Sequence, residues 1–179
     1  MLCIIITNTK DGNSGKLVAQ TLLTDTACTV YGDGNGEEYT INGKSYKPDS
    51  YDVNDPDYRI EISPALPSLT DRIITLAYAT DAADNTTPIK ATEIRTDKLV
   101  GASILGQVLL FGIDKEPLSG EISFSTEAGE ELSYYVMGVK SGSWRVDIDG
   151  KPIATVEVPD GEGVLSFKAP AGNLTVKLL

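Results

Sequence analysis

The stretch SGSWRVDIDGKPIATVEV, residues 141–158, decides the fold class. Trp144, Val146 and Ile148 alternate with Arg145 and Asp147, so one face of the segment is apolar and the other polar, with a period of two. That is a strand, not a helix. Asp149-Gly150 follows, a pair that tolerates the positive φ angles of a tight hairpin turn, and KPIATVEV then returns as a β-rich partner. The alternation also assigns Trp144 to the core.

Working outward, the same pattern recurs on both sides. GVLSFKAPAG (163–172) carries a further strand and a Pro-Ala-Gly stop before LTVKLL (174–179), which predicts a closing meander of about four strands. Upstream, ATEIRT, VGASIL, QVLLFGI, EISFST and LSYYVMG are each short and bounded by turn residues. Their spacing of about 8–12 residues is that of sandwiches and barrels. No exact internal repeat supports a propeller or solenoid.

The first half has longer loops. VAQTLL (18–23) and TACTVY (26–31) are expected to form an antiparallel pair, and EEYTI-Asn42-Gly43-KSYKP a hairpin. YRIEIS (58–63) reads as a half-buried strand, with Tyr58, Ile60 and Ile62 on one face and Arg59 and Glu61 on the other. DRIITLAYAT (71–80) is the longest apolar segment, and its β-branched residues predict a central strand buried on both faces. The expectation is an all-β, antiparallel β-sandwich, with a layered sheet portion over 1–116 and a smaller C-terminal β unit over 117–179. A soft boundary falls at DAADNTTP (81–88) or nearer KEPLSG (115–120).

The 179 residues are 41% hydrophobic, enough to bury a real core. Acidic residues outnumber basic ones 26 to 15, and the resulting charge of −11 repels phosphate backbones. Nucleic acid is not an expected partner. MLCIIIT is apolar over only seven residues and reads as a first strand instead of a signal peptide, and no apolar run has the length of a membrane span. A soluble chain without a membrane partner is expected. Cys3 and Cys28 are too few for a disulfide framework and are expected as reduced, buried thiols.

The count of histidines is zero. That removes Ser-His-Asp and Cys-His catalysis and every His-containing zinc site. With two cysteines a Cys-only zinc site is excluded as well. Catalysis would have to rest on carboxylates, Tyr, Lys or Arg.

Asp33, Asn35 and Glu37 begin like an EF-hand loop, but Glu38 stands where the loop needs Gly and Lys44 where it needs Glu. The acidic run 52–57 has no ligand spacing, and Asp147-x-Asp149-Gly150 sits inside a hairpin. All three read as structural turns, so no metal and no cofactor is expected.

Several segments are familiar in combination: GKLVAQTLL (15–23), YGDGNGEEYTINGKSY (31–46), YRIEISPALPSLTDRIITLAYATDA (58–82), VLLFG (108–112), SGSWRVDIDGKPI (141–153) and GVLSFKAPAG (163–172). Their order resembles the C-terminal β-sheet region of heparinase II/III-like polysaccharide lyases. The resemblance runs from about Ser14 to Gly172 and departs at Thr24, where the family has Pro after Thr-Leu-Leu.

It implies an enzyme with an N-terminal α/α toroid and stacked antiparallel sheets that cleaves acidic polysaccharides by β-elimination. Members are often periplasmic or secreted, and the family's catalytic Tyr and His lie largely upstream of anything matched here. No catalytic residue transfers. The expected function is therefore a noncatalytic module with a structural, carbohydrate-binding or partner-binding role. The alternatives are an active or split lyase and a structural protein that self-associates through exposed sheet edges.

Tyr46 and Tyr51, on or beside loops, are the candidate sugar-stacking residues, and Arg59 is the candidate cation beside them. Lys90, Arg95 and Lys98 could form a local basic patch. Polysaccharide or an upstream catalytic chain is the expected partner.

Overall fold

The computed structural model describes residues 2–8, 15–22, 26–32, 36–47, 58–66, 69, 71–81, 83, 89–127 and 131–179. The regular structure of the described residues is strand except for one short 3-10 turn, and the fold is all-β. No helix among them is long and apolar enough to cross a membrane.

The strands from Thr92 onward form a two-sheet sandwich. Five of them, in the order β15-β12-β10-β9-β8, make one sheet: β8 Thr92–Arg95, β9 Leu99–Ile104, β10 Gln107–Gly112, β12 Leu132–Met137 and β15 Val164–Ala169. The opposing sheet, in the order β11-β16-β13-β14, holds β11 Glu121–Ser125, β13 Gly142–Ile148, β14 Lys151–Val158 and β16 Asn173–Leu178. All nine strands fall where the alternation placed them.

Their connections differ from a meander. After the β13–β14 hairpin the chain crosses to the other sheet as β15, pairs with β12, and returns as β16 between β11 and β13. Each crossing carries an alternating strand to a face that can bury it, and alternation alone does not say which sheet that is. Among the described strands β10 pairs with β12 in parallel, because β11 in the opposite sheet serves as the crossover between them.

A single core fills the space between the sheets. It joins Ile94, Leu99 and Leu110 from the segment before residue 116 to Ile122, Trp144 and Val176 after it. The Trp144 side chain is fully buried and its indole Nε1 donates to the Lys140 carbonyl at 2.9 Å. Tyr134 stacks on Phe167 at 4.9 Å between ring centroids and lies 6.1 Å from Phe124. The β13–β14 turn has positive φ at both Asp149 and Gly150, and the Asp149 carboxylate accepts from the Asn173 backbone and side-chain amides. A second turn of the same kind, between β9 and β10, uses Leu105 at φ 49, a residue that gives no turn signal in the sequence.

Tyr134 donates its hydroxyl to the Pro170 carbonyl at 3.0 Å and shares a hydrogen bond with the Thr126 hydroxyl. Burial pushes its phenol above the ordinary value of 10.0, opposed in part by the Thr126 hydrogen bond. A raised folded-state value means the stability linked to this proton is complete below the unfolded tyrosine pKa and is lost as pH rises through the folded one. Tyr134→Phe should therefore cost about 1 kcal/mol near neutrality and flatten the alkaline loss of stability. Urea midpoints of both proteins between about pH 8 and 11 test this, and parallel curves would refute it.

The first half builds smaller sheets. β1 (Leu2–Asn8), β2 (Gly15–Thr21) and β7 (Thr75–Asp81) form an antiparallel sheet in the order β1-β2-β7, whereas β3 (Thr26–Gly32) pairs with β6 (Tyr58–Pro64). The expected β2–β3 pairing is thus corrected: each strand finds a partner distant in sequence. The central, buried strand of the first sheet is β2, where Val18 to Thr21 are all buried, and not the 71–80 segment. That segment becomes strand only from Thr75, and as the sheet edge it half-buries one face and exposes the other.

Glu37–Tyr39 forms one 3-10 turn in place of the expected strand start. The hairpin itself is present, β4 (Thr40–Ile41) with β5 (Lys44–Ser45) around Asn42-Gly43. Cys3 lies on β1 and Cys28 on β3, in separate pairings, and their side chains fall outside the described residues, as does the loop 48–57.

The first sheet is tied to the sandwich at one corner. The buried Gln20 amide exchanges two 2.9 Å hydrogen bonds with the Ala91 backbone, donating to its carbonyl and accepting from its N–H. Leu22, Ala91 and Ala102 form a small second apolar cluster beside it, against the outer face of β9. Arg72 adds a hydrogen bond to the Ile113 carbonyl.

Candidate functional site

Two places bring polar or cationic side chains together. The first surrounds Arg59. Strand β6 places it opposite Tyr31 of β3, and its guanidinium lies 4.3 Å from the centroid of that ring. One Nη donates to the Glu61 carboxylate, and the other donates to the Thr40 carbonyl at 2.7 Å and the Glu37 carbonyl at 3.4 Å. Arg59 thereby fastens the β4–β5 hairpin to the β3–β6 pair, which is the bonding of a clamp.

Tyr46 ends that hairpin. Its backbone N–H donates to Tyr39 at 2.9 Å, its side chain is 58% exposed, and Lys44 Nζ stands 5.0 Å from the ring centroid. The structure therefore puts Arg59 and Tyr46 on one small unit. Tyr51 lies outside the described residues. The DGNGE run is described only from Gly36 onward, and Glu38 is buried there with Oε2 lacking a hydrogen-bond partner.

The second place is at the sandwich edge. On one side β14 meets β15, and on the other β8 faces β11 across a groove of about 630 Å³. Glu93, Arg95 and Thr96 line one wall, and Ser123, Ser125, Asn173 and Thr175 the other, with Ile94, Phe124 and Leu174 at the floor. The hydroxyls of Ser123 and Thr175 are 3.0 Å apart, and the Ser125 hydroxyl donates to Asn173 Oδ1 at 2.8 Å.

Strand alternation dictates this wall. Ile122, Phe124, Leu174 and Val176 point into the core, so the residues between them point out, and the β11–β16 register sets Ser123 opposite Thr175 and Ser125 opposite Asn173. The sequence reading missed this polar row. Its alternation is visible in EISFS and NLTVK, but the pairing of two segments about 50 residues apart is not.

Of the expected basic patch, Arg95 reaches the groove, Lys98 Nζ donates to the Glu121 carbonyl at 2.9 Å, and Lys90 is exposed just before β8. Asp147 is buried and accepts from Arg145 at 2.8 Å and 3.2 Å, while Asp149 belongs to the β13–β14 turn. Among the described residues no group of three or more His, Cys, Asp or Glu is placed to hold a metal. The groove presents hydrogen-bond donors and acceptors together with one guanidinium and the Glu93 carboxylate.

Fold and groove together define a two-sheet β-sandwich domain with a polar edge groove. Residues 93–178, which span this sandwich from β8 to β16, match the family model of the heparinase II C-terminal domain. Over these residues the chain is similar to the C-terminal domain of heparinase II. No curated protein matches the chain.

Proposed function

We propose that the chain is a noncatalytic accessory module of heparinase II/III-like type, holding polysaccharide without cleaving it. The reading is carried by one observation: the matched segment is a sandwich whose buried aromatic and tyrosyl groups are bonded into the core, while its outward polar side chains gather at the edge groove. β-Elimination needs a base for the α-proton and an acid for the leaving oxygen. The chain has no histidine, and Tyr134, the buried tyrosine of the sandwich, donates to Pro170.

Affinity electrophoresis through gels containing acidic or neutral polysaccharide should retard the protein, with no rise in ultraviolet absorbance from unsaturated uronates. Retention absent from every gel, or steady product formation on heparin, heparan sulfate or alginate, would sink the reading.

The unit boundary is proposed to lie in 82–91, ahead of β8, because strands on both sides of 116/117 share the sandwich core. A second reading, self-association, is favoured by the outer face of the five-stranded sheet, where Phe111 and Val164 are 41% and 37% exposed next to Leu109 and Met137. Light scattering on a size-exclusion column discriminates, and a monodisperse monomer removes it.

A further inference from the structure

We propose that the groove between β8 and β11 is a subsite for a sugar chain of low charge density, with Arg95 holding a single carboxylate and the Ser123–Thr175 and Ser125–Asn173 pairs engaging hydroxyls. The inference deepens the polysaccharide-holding reading and rests on it.

The volume of about 630 Å³ is that of a small-molecule or oligosaccharide site. Arg95 is exposed in the groove wall and forms no hydrogen bond or ion pair among the described residues, so its fork of donors is available to a carboxylate. Arg59 differs, since both of its Nη groups are bound into the fold.

The opposite wall is already ordered. Each cross-strand hydrogen bond fixes two polar side chains and still leaves hydroxyl and amide capacity for a ligand, since a hydroxyl offers one donor and two acceptor sites. Asn173 is held further by Asp149, which takes its Nδ2 at 3.1 Å. Ordering these groups before binding removes part of the entropy loss of association.

Charge sets the ligand class. Glu93 lines the same wall two residues from Arg95, and the chain as a whole carries −11. A densely sulfated polymer would place several anions near Glu93 for one gained at Arg95 and be repelled. A chain in which each uronate is separated by a neutral sugar meets one cation with one carboxylate.

The test is a 15N-HSQC titration of the full chain with three hexasaccharides: hyaluronan, with alternating uronate; cellohexaose, uncharged; and heparin, densely charged. Hyaluronan should bind most tightly, with shifts confined to residues 93–96, 123–125 and 173–175, and Arg95→Gln should weaken it at least about tenfold while leaving the rest of the spectrum unchanged. Ser125→Ala should weaken hyaluronan and cellohexaose alike.

An undiminished affinity in Arg95→Gln, or shifts centred elsewhere, overturns the groove yet leaves a polysaccharide-holding module intact. Heparin binding as tight as hyaluronan overturns the low charge density. Absence of any glycan binding, in gel or spectrum, overturns the module reading together with the groove.

Discussion

Trp144→Ala is expected to lower the unfolding free energy by about 3–5 kcal/mol, a large share of the about 5–15 kcal/mol typical of a domain. Two losses combine. The indole is fully buried in the core shared by both sheets, so truncation leaves a cavity whose lining strands are each fixed by ladder hydrogen bonds and cannot collapse into it. The Lys140 carbonyl also loses its indole donor. Urea denaturation followed by circular dichroism should show a midpoint far below that of the parent with a similar slope. A shift worth under about 1 kcal/mol would show that the indole is not packed as described.

Gly101→Ala is expected to be as severe, for a different reason. Gly101 sits on β9 opposite Leu110, and a Cβ added there would run into the Leu109 carbonyl oxygen and come within 2.8 Å of Leu110 Cα. Overpacking against side chains costs about 1–3 kcal/mol because rotamers can give way. Here the obstacle is the backbone of the paired strand, so β9 and β10 must separate or slip, which detaches the β8–β9 pair from the rest of the sheet.

Gly15→Ala, also in a strand, is the control: the nearest atom to its added Cβ is the Thr80 carbonyl oxygen at 3.6 Å, an ordinary contact. The first variant should fail to give a cooperative transition, and the second should unfold like the parent. Equal stability of the two would refute the close β9–β10 approach.

Much of the sandwich was legible because its strands obey alternation so plainly. From ATEIRT to LTVKLL every expected strand is present, Trp144 fills the core, and Asp149-Gly150 makes its turn. The heparinase resemblance, carried partly by SGSWRVDIDGKPI and GVLSFKAPAG, holds over 93–178. The first half was harder to read. An apolar run such as DRIITLAYAT looks alike whether its strand is central or at an edge, since exposure depends on what lies beside it. From the sequence Arg59 is a candidate binding cation beside tyrosines; only the β3–β6 register and the hairpin carbonyls show how it is held.

The groove divides along the same line. The sequence by itself determined the period of two, which turns Ser123, Ser125, Asn173 and Thr175 outward wherever their strands lie, and the absence of histidine, which removes the commonest base. Tertiary structure alone decided that β11 pairs with β16 and faces β8, bringing Arg95 across from that polar row. The physical reason is that side-chain direction is a local property of extended backbone. The choice of neighbouring strand is instead settled by the burial of every apolar face in the core at once.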